Sequence, residues 1–114
     1  MITLYGIPNC DTMKKTRKWL AGHDVDYDFH DYKKKGVNAT QLQQWIDAVG
    51  WEVLLNRRGM MWRKLSEEVR TSIDEKSAVQ IMLETPSIIK RPVLVNNNEV
   101  LVGFNETEYS TLIQ

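Results

Sequence analysis

Cys10 is the single cysteine of the chain, and its neighbours are those that turn a thiol into a nucleophile. The stretch Gly6-Ile7-Pro8-Asn9 reads as a turn, and the residues after Cys10 read as helix. The sulfur is therefore expected at a helix start. Unpaired N–H groups and the positive end of the helix dipole favour an anion there. Lys14 follows four residues on, toward the cysteine's side of the helix, with Lys15 beside it and Lys18 a turn further. The thiolate is the reactive form, and such settings lower a cysteine pKa from ~8.5. A lone cysteine is otherwise read as a small buried hydrophobe; the preceding turn and the lysine-rich helix favour the reactive reading. Position 13 is Met13, so no resolving cysteine is at hand. A disulfide cycle would have to borrow its second sulfur from another molecule. One cysteine also excludes a multi-cysteine metal site, and neither a metal nor a bound cofactor is expected.

Other side chains could join Cys10 in space. Arg91-Pro92 opens an apolar run, where an edge-strand proline is the plain alternative to a site residue. Arg57, Arg58 and Arg63 cluster around Gly59, a grouping suited to a carboxylate or oxyanion, with two of the three expected to be solvated surface charge. His23 and His30 have no metal-ligand spacing and are assigned to surface or packing. Trp19, Trp45, Trp51 and Trp62 are core candidates, Trp62 standing beside the arginines.

The elements that must position these residues follow from periodicity. Met1 to Gly6 reads as a buried strand, and Asp11 to Leu20 as a helix stopped by Gly22. Val25 to Tyr32 alternates as a strand does, with Val25, Tyr27 and Phe29 on one face. Lys33 to Gly36 is expected to be a basic loop. Asn38 or Thr40 caps a helix carrying Leu42, Trp45, Ile46 and Val49, ended by Gly50. Residues 51–85 read as helical with a break near 56–59, and with starts at Ser66 and Asp74 before acidic first turns. Ile88 to Val95 is expected as a strand, Asn96-Asn97-Asn98 as a hairpin turn, Glu99 to Val102 as the return strand, and Asn105 to Leu112 as a closing helix. A β-α-β half joined through helices to a β-β-α half is the layout of a thioredoxin-like sheet. It predicts an α/β, thioredoxin-like fold with an inserted helical region at about 38–85, in one domain spanning 1–114.

Composition bounds the partners. Fifteen basic and fifteen acidic residues cancel, so net charge gives no long-range pull toward nucleic acid or an acidic membrane. No apolar stretch approaches a membrane span, and the N-terminus lacks the basic head and apolar run of a signal peptide. A cytoplasmic protein with no direct nucleic-acid or membrane partner is expected.

Three segments in order, Tyr5-Gly6-Ile7-Pro8-Asn9-Cys10-Asp11-Thr12, Leu54-Leu55-Asn56-Arg57-Arg58-Gly59 with Trp62-Arg63-Lys64-Leu65, and Ile89-Lys90-Arg91-Pro92-Val93, resemble the arsenate reductase (ArsC)/Spx family, most closely its YffB-type subgroup. The resemblance spans essentially the whole chain. It implies a thioredoxin-like fold with a helical insertion, Cys10 as nucleophile, and an Arg91–cis-Pro92 pair before the third strand. It also implies a binding arginine on the inserted region at Arg58, with Arg57 as the substitute. Arg58, Arg91, Pro92 and Lys14 make the expected glutathione-binding set, with glutathione as co-substrate and glutaredoxin as a further partner. Two departures narrow the activity. Met13 replaces the second cysteine of the C-x-x-C switch found in Spx proteins. Gly6, Met13 and Lys14 replace the histidine, serine and arginine of glutaredoxin-linked arsenate reductases, and Gly103-Phe104-Asn105 stands where those carry a second Arg-Pro. A glutathione-dependent thiol reductase is the expected function, with arsenate reduction and Spx-like docking on RNA polymerase as alternatives.

Overall fold

A computed structural model describes residues 1–113 of the chain. Its sheet has four strands: β1 (Ile2–Gly6), β2 (Tyr27–Asp31), β3 (Val93–Asn96) and β4 (Glu99–Val102), in the order β2-β1-β3-β4. β1 is central because Ile2, Leu4 and Tyr5 suit a pleated strand covered on both faces. It pairs parallel to β2, with Tyr5 opposite His30, and antiparallel to β3, with Tyr5 opposite Val93. β3 and β4 form the hairpin, turned at Asn97, whose φ of 57° is left-handed; asparagine tolerates that conformation better than most residues.

Side-chain alternation along β1 and β3 divides the core in two. Leu4 and Leu94 face Met13 and Leu20 of α1 (Asp11–Gly22) and Tyr109 of the closing helix. The buried Thr16 lies on the same face of α1, its hydroxyl donating to the Thr12 carbonyl at 2.7 Å. Tyr5 and Val93 face the other way, into the helical region between β2 and β3. That region comprises α2 (Tyr32–Lys35), α3 (Ala39–Val49), α4 (Trp51–Leu54), α5 (Met60–Arg63), α6 (Glu67–Thr71) and α7 (Glu75–Glu84), then a 3-10 turn at Pro86–Ile88; α8 (Glu106–Ile113) closes the chain. Leu42, Trp45 and Ile46 of α3 and Ala78 and Met82 of α7 join Tyr32, Leu54, Leu55, Ile88 and Ile89 in this second core. Burying one such aliphatic side chain stabilises the fold by about 1.5–3 kcal/mol.

Two expectations are corrected. Lys33–Lys35 are not loop but one helical turn, because the Asp31 carboxylate accepts from the N–H groups of Lys33 and Lys34 and starts a helix. The helical text of 51–85 is four short helices, broken over 56–59 and restarted after Ser66 and Asp74 as expected. The third strand begins at Val93, not Ile88. Ile88 and Ile89 are buried against the helices instead, Ile89 pairing with Leu55 as an isolated bridge. Among the described residues no helix is long and apolar enough to cross a membrane. The sheet order, with one parallel pair and an antiparallel hairpin, makes the fold thioredoxin-like.

Candidate active site

β1 ends at the buried Gly6, and Ile7-Pro8-Asn9 carries the chain from the sheet to Cys10 at the N-cap of α1. Gly6 leaves its space to Met13: a Cβ on it would stand 2.5 Å from Sδ of Met13, which would have to move aside. Two of the motif positions that depart from the arsenate-reducing pattern therefore touch, the thioether of Met13 filling the space above Gly6.

Cys10 has extended backbone geometry, and its carbonyl accepts the Lys14 N–H at 2.9 Å. Its side chain is half-buried and caps the helix with no formed hydrogen bond among the described residues. Partial burial pushes its thiol up. The N–H groups of Met13 and Thr12 and the Arg91 guanidinium outweigh that, bringing the thiol below its ordinary 9.0. The amides act on the sulfur as oriented dipoles.

Arg91 reaches Cys10 from the other end of the chain. The Arg91–Pro92 peptide is cis, and Pro92 is buried with its carbonyl accepting the Gly103 N–H at 2.8 Å. The Arg91 Nη1 donates to the Ser87 carbonyl at 3.1 Å, while its buried Nε has no partner among the described residues. A buried guanidinium donor with no oxygen or nitrogen partner beside a thiol favours that thiol's anion. Against Arg91 stands Tyr32, fully buried, its hydroxyl donating to the Ile89 carbonyl at 2.7 Å. Burial pushes the Tyr32 phenol up to about 12, offset only in part by Arg91. It therefore stays neutral beside the cation at physiological pH.

Cys10, Thr12, Asn56, Lys90, Arg91 and Gly103 line one open depression of ≈ 200 Å³. Lys90 borders a second one, lined also by Glu52, Leu55, Arg57 and Arg58. A basic strip thus runs from the thiol through Arg91 and Lys90 toward Arg58. Arg58 is exposed, its N–H donating to Oδ1 of Asn56 at 3.2 Å. Arg57 lies instead over the Trp51 and Trp62 rings, 5.9 and 5.3 Å from their centroids, where it is held by cation–π attraction. Arg63 is exposed beyond them.

Of the residues singled out in the sequence, Cys10 and Arg91 meet directly, Pro92 shapes their loop, and Arg58 stands at the far end of the strip. The side chain of Lys14 is exposed on α1 and does not border the Cys10 depression. Tyr32, Asn56 and Lys90 join the site without having been singled out. His30 packs its ring 4.9 Å from Tyr5 and bonds the Gly36 carbonyl, and His23 stacks on Trp19. Of the tryptophans only Trp45 is fully buried, Trp19, Trp51 and Trp62 being partly so.

Comparison with known proteins agrees with this geometry. A protein of Haemophilus influenzae, itself uncharacterized, is 46% identical over 109 residues, covering 96% of each chain. The global transcriptional regulator Spx of Streptococcus agalactiae is 30% identical over 110 residues, covering 95% of this chain and 80% of Spx. The solved structure of the YFFB (PA3664) protein superposes with a TM-score of 0.93 at 48% identity, covering 97% of both chains. The ArsC family model matches residues 5–112, from the strand that leads to Cys10 to the closing helix. On that match, and on the order of the three segments around the thiol, the chain belongs to the ArsC family.

Proposed function

We propose that the chain is a glutathione-dependent thiol reductase that works through the single nucleophile Cys10. The observation that carries this reading is the half-buried sulfur facing the first-turn amides of α1 and the guanidinium of Arg91. Such a sulfur ionises more readily than a free thiol and remains open to solvent.

The reaction closes without a second cysteine. The Cys10 thiolate attacks the glutathione sulfur of a mixed disulfide R–S–SG. The S–S bond breaks, R–S⁻ leaves and takes a proton from water, and Cys10–S–SG forms. A second glutathione thiolate attacks the Cys10–S–SG sulfur, releasing oxidised glutathione and the Cys10 thiolate. The incoming glutathione sulfur is oxidised by one electron and the substrate sulfur is reduced by one electron to a thiol, while the glutathionyl sulfur stays at the disulfide level throughout. Arg91 acts on the sulfur and borders the same depression, where its guanidinium suits an acceptor of the incoming group. The strip through Lys90 to Arg58 suits the carboxylates of the glutathionyl group. Glutaredoxin is the protein partner this cycle would use, and a reducing cytoplasm the compartment where it would run.

The packed Gly6–Met13 pair disfavours arsenate reduction, since apolar atoms occupy positions where that branch carries polar groups. The Spx relative supports a second reading, a regulator that docks on RNA polymerase. That role would use surface rather than sulfur. Intact mass of the wild type and Cys10→Ser after exposure to oxidised glutathione separates the readings. The reductase account expects one glutathione on the wild type and none on the variant; an unmodified wild type contradicts it.

A further inference from the structure

α1 carries a second open face. Thr12, Lys15, Trp19 and His23 recur at steps of three, four and four residues, which places them on one stripe of the helix. Thr12 borders the Cys10 depression, and Lys15, Trp19 and His23 line a groove of ≈ 580 Å³ completed by Lys18, Gly22, Phe104 and Glu106. Gly103 and Phe104 run alongside in the same order, Gly103 at the thiol and Phe104 in the groove. The groove thus continues the active-site depression. Its floor is aromatic: Trp19 stacks on His23 at 3.9 Å between centroids and meets Phe104 edge-on at 6.3 Å. Its rim on α1 is cationic, with Lys15 and Lys18 both exposed, against one acidic residue, Glu106, across it.

The two sides of Cys10 differ accordingly. The Arg91 side carries Arg91, Lys90, Arg57 and Arg58 against one acidic residue, Glu52, and suits the glutathionyl half of a mixed disulfide. The Thr12–Gly103 side leads onto apolar rings. We propose that this groove holds the leaving half of the substrate, a polypeptide segment with an apolar side chain about three residues from the disulfide cysteine and acidic residues beside it. The inference rests on the reading of Cys10 as the nucleophile. The spacing follows from geometry: Thr12 to Trp19 is seven residues, about 10 Å of helix, which about three residues of extended chain span. The sign of the flanking charge follows from Lys15 and Lys18. The physiological substrate is then a glutathionylated protein rather than a small disulfide.

Three glutathione mixed disulfides test this: the peptide Cys-Ala-Glu-Leu-Glu, the same peptide with lysine for both glutamates, and β-mercaptoethanol. The acidic peptide is expected to show the lowest KM. Measured against the small disulfide on the same variant, the KM of the acidic peptide should rise about tenfold, and that of the lysine peptide fall, when both rim charges are reversed (K15E with K18E). Gly22→Leu gives an uncharged test. Apart from its chain neighbours and the backbone of its own helix, no described atom lies within 4 Å of the site a Cβ would take at Gly22, so the new side chain fills the groove without disturbing the core. It should raise KM for both peptides and not for the small disulfide. Equal KM values for the three substrates, unmoved by either variant, would overturn the groove. Amide shifts at Trp19 and His23 on titrating the unreactive serine analogue of the acidic peptide separate this from the chemistry. Shifts without turnover of any disulfide would uphold the groove and remove the reductase reading; absence of shifts would overturn the groove whatever Cys10 does.

Discussion

The first turns of α7 and α1 both present backbone N–H groups that lack a carbonyl partner, and the chain closes them differently. At α7, Asp74 accepts from the Ser77 N–H at 2.9 Å while the Ser77 hydroxyl accepts from the Asp74 N–H at 3.0 Å, a reciprocal cap. Everything that holds it lies within four residues. At α1 the cap position holds Cys10, whose sulfur forms no such bond among the described residues. Its charge is favoured by the same kind of amide, but its second partner, Arg91, comes from the opposite half of the chain. An oxygen cap spends the amide field on stability. A sulfur cap, being a weak acceptor, leaves that field available to a developing thiolate.

Changing the caps should therefore separate activity from stability. The largest effect is expected for Cys10→Ser. Serine is a good N-cap, so the melting temperature should hold or rise while mixed-disulfide turnover falls by about a thousandfold or more. A variant that melts lower and still turns over would reverse the comparison. Removing the remote partner comes next. Arg91→Ala should lower the alkylation rate of Cys10 at neutral pH by about tenfold, the change expected if the thiol moves up by one pKa unit. Tyr32→Phe keeps the ring and removes the hydroxyl that satisfies the buried Ile89 carbonyl, and should cost about 1–3 kcal/mol in a urea melt. The smallest effect is expected at α7. Asp74→Ala should lower the melting temperature by about a few degrees and leave turnover untouched.

The Asp74 variant also has a pH signature. The Ser77 N–H and hydroxyl hold the Asp74 carboxyl below its ordinary 3.8. Its contribution is therefore complete above the unfolded value and disappears as pH falls through the folded one. Melts of wild type and Asp74→Ala should differ at neutral pH and converge in acid, and a constant gap across that range would rule this out. The same sign applies to Cys10, whose thiol is lowered on folding. Stability from its thiolate is complete above 9.0 and is lost as pH falls through the lowered value.

Features set by neighbours in sequence were legible before the structure. Cys10 at a helix start, the caps at Asn38, Ser66 and Asp74, and the Asn97 turn all follow from a few adjacent residues. The α2 turn was legible too, had Asp31 been read as a cap rather than as the end of an alternating strand. Other features depend on distant packing. Ile88 and Ile89 have the composition of a strand but are claimed by the helical core and by Leu55. Pairing of Arg91 with Cys10 came from family likeness, since nothing near either residue names the other. Tyr32 closes an alternating run like any strand aromatic, and only the fold brings it to Ile89 and Arg91. The exposed Lys14 shows the reverse error: a charge near in sequence did not become a group of the site.

The most direct measurement is the rate of Cys10 alkylation by iodoacetamide as a function of pH, in the wild type and in Arg91→Ala. With the sulfur poised by first-turn amides and a guanidinium, the wild-type midpoint should lie below that of a free thiol and climb in the variant. Two superimposable curves centred where an unstructured thiol titrates would contradict the account.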